Sequence, residues 1–428
     1  MNAIKIPIYG LLLLAAVFVL FPQQDVVMTI RNGMPAISLA LPKFITRSSA
    51  PSVTAASEEV YQILSDDLKY SRIFQLLPKS YYSYIRPLDP KNIFFKDWES
   101  IQANILFVGE VSESSDSQVI FEGKLYDVKS QRFIFGKRYQ SKRDVLRYMA
   151  HKMADEILRV YGEKPLFTSR IVFISNRDGN DELYMMDYDG ANQTRLTFNK
   201  VLDYMPTWSA DSKRIAYISY QNHTAGLFLL DIYEGRRSEV TLKGVNSSPS
   251  FSPDGKKLAF CSTMHGNAEI YVASSDGDGI KRITFNKAID TAPSWSPTSR
   301  EIAFVSDRGG TPQIYIMDAE GSNIRRLSFG GNHNDSPAWS PNGDRIVYVS
   351  QVDQICDLYV YNLRTSQIMK LTENRAHNES PSWSPDGRHI VFTSNLSGTV
   401  QIHTIDYDGA NMRGLTSRGS NKLPDWSN

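Results

Sequence analysis

Six short apolar runs, each closed by serine, punctuate the C-terminal part of the chain: Ile171-Val-Phe-Ile-Ser175, Ile215-Ala-Tyr-Ile-Ser219, Leu258-Ala-Phe-Cys-Ser262, Ile302-Ala-Phe-Val-Ser306, Ile346-Val-Tyr-Val-Ser350 and Ile390-Val-Phe-Thr-Ser394. Near-continuous apolar character over so few residues predicts strands buried on both faces. Five of the six follow a Pro-x-aromatic-Ser anchor, at Pro206, Pro249, Pro293, Pro337 and Pro381. A sixth anchor, Pro424-Asp-Trp-Ser427, stands at the end of the sequence. The anchor aromatics are spaced 43, 44, 44, 44 and 43 residues apart. Between anchor and strand, Ser252-Pro-Asp-Gly255, Ser340-Pro-Asn-Gly343 and Ser384-Pro-Asp-Gly387 supply the preset φ of Pro and the positive φ of Gly that a tight turn needs. A third strand recurs at Glu182–Met186, Glu269–Val272, Gln313–Ile316 and Asp357–Val360. A fourth, more polar, ends in Arg195-Leu-Thr197, Arg282-Ile-Thr284, Arg326-Leu-Ser328 and Lys370-Leu-Thr372.

Four strands per unit, at a period of about 40–45 residues, predict a six-bladed β-propeller over residues 166–428. The array is out of step at its ends. The Ile171 strand has no anchor before it and the Pro424 anchor has no strand after it. The ring therefore closes if the C-terminal strand supplies the inner strand of the first blade, which removes two open edges.

Residues 25–165 carry a different pattern and predict a small α/β domain. Val26–Ile30 and Ile37–Leu41 read as strands around an Asn32-Gly33 turn. Val60, Ile63, Leu64 and Leu68 share one helical face. Strands follow around Ile105–Val111, Val119–Val128 and Phe133–Tyr139. A second helix is expected to open on a Ser141-x-x-Asp144 capping box, to carry Val145, Met149, Met153 and Ile157 on one side, and to end at Gly162 and Pro165. Ahead of all this, Lys5 precedes a 14-residue apolar run, Ile8–Phe21, of the length of an export-signal core, so residues 1–24 are assigned to export, the competing reading being an uncleaved inner-membrane anchor.

Charge and composition narrow the function classes. A net charge of +1 over 428 residues argues against nucleic acid or an anionic membrane surface as partner. Two cysteines make no disulfide scaffold, and Cys261 occupies an apolar strand position. The seven histidines show no metal-ligand spacing and read mostly as loop residues, so no metal site is expected. Arg177, Asp307 and Arg308 read as solvated surface. Three residues before each anchor proline stands an Asx residue: Asp203, Asn246, Asp290, Asn334, Asn378 and Asn421. Such residues cap backbone turns. They also form, on a propeller, a polar ring at one channel mouth, to which Asp335 and Glu379 add charge. Four Asn among six make at most a weak calcium site there, not a dedicated cage. No nucleophile elbow follows the repeats and no catalytic constellation meets the requirements of a site. A binding role is favoured, the alternative being a propeller hydrolase acting on peptides or glycans.

Several stretches together resemble the TolB family: Leu146-Arg-Tyr-Met-Ala-His151-Lys-Met-Ala-Asp155-Glu156, Ser169-Arg-Ile171, Asp187-Tyr-Asp-Gly190 with Asn192, Phe251–Phe260 and Lys422-Leu-Pro-Asp-Trp-Ser427. The resemblance implies a monomeric, cofactor-free periplasmic component of the Tol–Pal system, supporting outer-membrane integrity and constriction during division, with no membrane insertion once the signal is gone. It implies that a Pal-like outer-membrane lipoprotein docks at the channel mouth, at Val245, Asn246, Ser248, Asp290 and Thr291. It also implies that the N-terminal strand, Asp25, Val26, Val27, Met28, Thr29 and Ile30, signals to a TolA-like inner-membrane protein.

Overall fold

The computed structural model of the chain describes residues 30–31, 34–240, 242–373 and 375–428. The export segment and Asp25–Thr29 lie outside the described residues. Ile30–Arg31 pairs antiparallel with Met34–Pro35, a ladder of two residues on each side.

In the N-terminal domain a sheet runs in the order Phe74–Leu76, Ile37–Ala40, Ile105–Glu113, Val119–Asp127, Arg132–Ser141. Both its faces are covered, which explains the unbroken apolar run at Ile105. Ile105, Phe107 and Val111 pack against helices α1 (Pro51–Tyr70) and α3 (Leu146–Val160). Leu106 and Val108 face the other way, onto Trp98 of the short helix α2 (Phe95–Ser100). Six residues are less than two helical turns, too few for a 3.6-residue period to register, and α2 is not predicted from sequence for that reason.

The expected capping box does not form. Ser141 ends a strand, Arg143–Val145 makes a turn of 3-10 helix, and α3 starts at Leu146 without a side-chain cap. The polar device that matters lies at the other end. Asp155, fully buried on α3, accepts the backbone N–H groups of Leu166 and Phe167 at 2.7 and 2.8 Å and both donors of Thr168 at 3.0 and 2.6 Å. One carboxylate thus fixes the connection into the propeller.

The propeller has six four-stranded antiparallel blades. In blade 1 the order is Thr194–Arg195, Glu182–Asp187, Arg170–Ser175, Asn421–Trp426, so the C-terminal strand is its inner strand, as the unmatched anchor predicts. Every second strand, from Ile171 to Ile390, has an apolar side chain wholly removed from solvent at its first apolar position, packed between neighbouring blades.

The α/β domain sits across blades 1 and 6. One continuous apolar cluster joins Leu64, Met153 and Ile157 to Ile171 and Tyr184 of blade 1, Val391 and Ile402 of blade 6, and Trp426 of the closing strand. Polar groups are threaded through it. Asp67 of α1 accepts hydrogen bonds from Tyr188 at 2.6 Å and pairs with His151 at 2.8 Å, while Tyr70 stacks on His389 with ring centroids 4.0 Å apart. His389 in turn pairs with Asp406, which Arg72 meets at 3.2 Å. Two histidines are therefore not loop residues: His389 and His403 lie buried on strands, while His151 on α3 and His389 serve as carboxylate partners at the domain junction.

Candidate functional site at the channel mouth

Each inner strand runs from an Asx residue at one end of the channel to an aromatic residue at the other. The α/β domain contacts the turns at the aromatic end: Arg388 meets Glu163 at 2.5 Å and the Lys164 ammonium donates to the Pro341 carbonyl at 3.4 Å. The Asx mouth faces away from that domain and is open to a partner.

A six-fold backbone device shapes this mouth. Met205, Ser248, Ala292, Ser336, Ser380 and Leu423, each directly before an anchor proline, all have φ between +49° and +54°. Register with the second strand slips at the same place in every blade, as at Tyr204/Thr207 and Ser247/Ser250. Each inner strand therefore carries a β-bulge, the setting in which proline is tolerated inside a sheet. The six bulges line a channel section of about 200 Å³. Beyond a throat formed by Thr207, Ser250, Ser294, Ala338, Ser382 and Asp425, a second section of about 430 Å³ opens among the anchor aromatics.

The six Asx side chains do not present a ring to solvent. All are buried, at most 4% exposed, and the four Asn are spent on the preceding blade. Asn334 donates to Gln313 Oε1 at 2.8 Å and the Gly330 carbonyl at 2.6 Å, and Asn378 donates to Asp357 at 3.2 Å. Asn421 donates to Gln401 Oε1 at 2.7 Å, Asn246 to the Ala225 carbonyl at 2.9 Å, and Asp203 accepts from Asn199 at 3.0 Å. Asp290 accepts two bonds from Arg308, at 3.0 and 2.8 Å. The four Asn staple blade to blade and the two Asp are taken up by Asn199 and Arg308, so the six offer calcium no free carboxylate ring. Arg308 is accordingly a half-buried ion-pair partner rather than solvated surface. Arg177 plays the same part, donating to Asn421 Oδ1 at 2.9 Å. Asp307 accepts the Ile289 N–H at 2.8 Å.

Above the staples, three of the residues singled out from sequence reach the mouth on the adjacent inner strands of blades 3 and 4. Val245 is 56% exposed, and Ser248 and Thr291 are half-buried, with Asn246 and Asp290 beneath them. The bulges themselves left a sequence signal, proline inside an otherwise strand-like segment. The inter-blade role of the four Asn left none, because their partners come from the neighbouring blade.

One charge sits in the throat. Asp425 accepts the Trp208 N–H and the Ser382 hydroxyl, both at 2.7 Å, binding the closing strand to blades 2 and 6. Burial raises its carboxyl above the ordinary value of 3.8 despite these donors. The folded state then holds that proton more tightly than the unfolded chain. The stability Asp425 contributes is full below about pH 4 and falls as pH rises through the raised value, by about 1.4 kcal/mol per unit of displacement. Serine occupies the equivalent position in three blades, and Ser294 Oγ accepts the Trp339 N–H at 3.1 Å. Asp425→Ser should therefore gain on wild type between pH 4 and pH 7 in urea denaturation. An unchanged difference between the two proteins at both pH values would show that the carboxyl titrates normally.

Comparison with known proteins bears on both domains. A family model described as the TolB amino-terminal domain matches residues 26–134, and one described as the TolB beta propeller domain matches residues 158–356 and 332–428. The Tol-Pal system protein TolB of Desulfosudis oleivorans is 33% identical over 270 residues, 62% of this chain and 61% of that protein. The protein of the same name from Hahella chejuensis is 35% identical over 234 residues, 53% of each chain. This chain thus spans about three-fifths or less of the length of these curated relatives. Over nearly its whole length it resembles the crystal structure of TolB from Acinetobacter baumannii, with a TM-score of 0.77, 26% identity, and coverage of 92% of this chain and 96% of that one.

Proposed function

The chain belongs to the TolB family, and on that premise we propose that it is a non-enzymatic, periplasmic protein-interaction component of a Tol–Pal system. In this reading the Asx mouth receives the periplasmic domain of a Pal-like outer-membrane lipoprotein, and residues 25–30 carry its occupancy to a TolA-like protein of the inner membrane. No helix among the described residues is long and apolar enough to cross a membrane, which accords with work in an aqueous compartment.

The observation that carries the reading is the rigid mouth itself. Val245, Ser248 and Thr291 lie exposed or half-exposed on two adjacent inner strands, held from below by buried bonds and turned away from the α/β domain. Loops and strand ends on such a scaffold hold their shape on binding, which limits the ordering cost of association. Ser248→Arg or Thr291→Arg should block entry by bulk and an unpaired charge, costing about 2–4 kcal/mol of binding. Folding should change by less than about 0.5 kcal/mol, because both side chains face the mouth. Titration calorimetry with the purified lipoprotein domain separates the outcomes. Equal binding by wild type and both variants would place the partner on another face.

A further inference from the structure

Where blade 5 meets blade 6, at the Asx mouth, the donor atoms of Cys356, His377 and Glu379 all lie within 4.8 Å of one another. No sequence motif announces this cluster, because it is assembled from two blades. Cys356 lies near the start of the third strand of blade 5, Ile355–Asn362, while His377 and Glu379 flank Asn378, the first residue of the inner strand of blade 6. Alternation along an extended strand sends His377 and Glu379 to the side opposite Asn378. Asn378 is itself anchored by its bond to Asp357, the neighbour of Cys356, and the His377 N–H donates to Asn395 Oδ1 at 2.8 Å. The staple that joins the two blades thereby brings the three donors together.

We propose that Cys356, His377 and Glu379 bind a divalent transition-metal ion of the zinc class, with the fourth coordination position open. A thiolate, an imidazole and a carboxylate form a ligand set that suits zinc and its neighbours and disfavours calcium or magnesium, which take oxygen. A tetrahedral ion with bonds of about 2.0–2.3 Å holds its ligand atoms roughly 3.5 Å apart. His377 and Glu379 are exposed and Cys356 half-buried, so small side-chain rotations close the set on an ion. Asp335, 3.3 Å from His333, adds negative charge to the same rim. The other grouping of ligand types among the described residues, His151 with Asp187 and Asp189, differs in kind. Its members are already committed to Asp67 and Arg147. The exposure of His377 and Glu379 leaves the open position to water or to a side chain from outside the chain. The inference does not depend on the identity of any protein partner.

The test uses the full chain, reduced and stripped of metal, titrated with cobalt(II) as a spectroscopic probe and with zinc(II) against a chromophoric chelator. One equivalent of cobalt should bring up a near-ultraviolet thiolate-to-metal band and intense visible bands of tetrahedral cobalt. Cys356→Ser should lose the ultraviolet band and Cys261→Ser should keep it. His377→Ala and Glu379→Gln should weaken zinc binding about tenfold or more. Thermal melts without metal should overlay for His377→Ala, Glu379→Gln and wild type, which separates loss of a ligand from loss of fold. Absence of a thiolate band overturns the proposal. So does a band that survives in Cys356→Ser, or zinc affinity unchanged in all three ligand variants.

Discussion

Removing residues 421–428 should abolish cooperative unfolding of the propeller rather than merely lower its melting temperature. The deletion strips the inner strand from blade 1, exposing the edge of Arg170–Ser175. It also removes Trp426, which is 5% exposed, donates its indole N–H to Ser169 Oγ at 2.8 Å and belongs to the cluster shared by the two domains. Loss of one buried tryptophan costs about 3–5 kcal/mol. The lost ladder and the Asn421 and Asp425 bonds add to that, against a total stability of about 5–15 kcal/mol. Near-ultraviolet circular dichroism through a urea titration reads the result. A truncated chain with the same midpoint and slope as the full one would mean that closure contributes little, and the assignment of the last strand's role would fail.

The second large effect is expected at Arg308. Its guanidinium is the charged partner of Asp290, whose carboxylate is wholly buried beneath the mouth. Arg308→Ala leaves that carboxylate with the Asn286 side-chain amide as a neutral donor, and stranding a buried charge typically costs about 3–5 kcal/mol. Replacing Asp290 by asparagine in the same background should recover most of the loss, because asparagine already fills the equivalent place in blades 3, 5, 6 and 1, as Asn246, Asn334, Asn378 and Asn421. A double-mutant cycle measured by chemical denaturation gives the coupling directly. Rescue absent, or an Arg308→Ala protein as stable as wild type, would show that Asp290 is satisfied without the arginine.

What the sequence made legible and what it hid divide along a physical line. The anchors, the apolar second strands and the closure by the last strand follow from local pattern and from counting. Each depends on residues near one another in the chain or on the step between the two ends. The Asx residues show the limit. Local turn chemistry explains why Asp or Asn is acceptable at Asn378, but its partner Asp357 stands 21 residues earlier, across a blade boundary. Arg177 and Arg308 were misjudged for the same reason, since a side chain beside its own strand in sequence can be spent on another. The capping box at Ser141 failed because strand pairing claimed that residue first. His151 and His389 gave no warning of burial, since both partners, Asp67 and Asp406, are supplied by tertiary contact. Cys356 and His377 are invisible as a pair for want of any fixed spacing.

The α/β domain rests on blade 1, blade 6 and the final strand, the parts of the ring that meet where the chain closes on itself. This sets an order of events. The domain is the first of the two to be synthesised, yet the surface it docks on is the last to be finished. Asn421 pairs with Ser175 across 245 residues of intervening chain, so full docking has to wait for the last strand. Until then blades 2 to 5 can form one after another from contacts close in sequence, each resting on the one before. The full contact between the two domains therefore forms only with a completed ring. A chain clipped near its end would keep the Asp67–Tyr188 and Arg147–Asp189 contacts of its first domain with blade 1 but lose Trp426 from the shared cluster, while the middle blades were still intact.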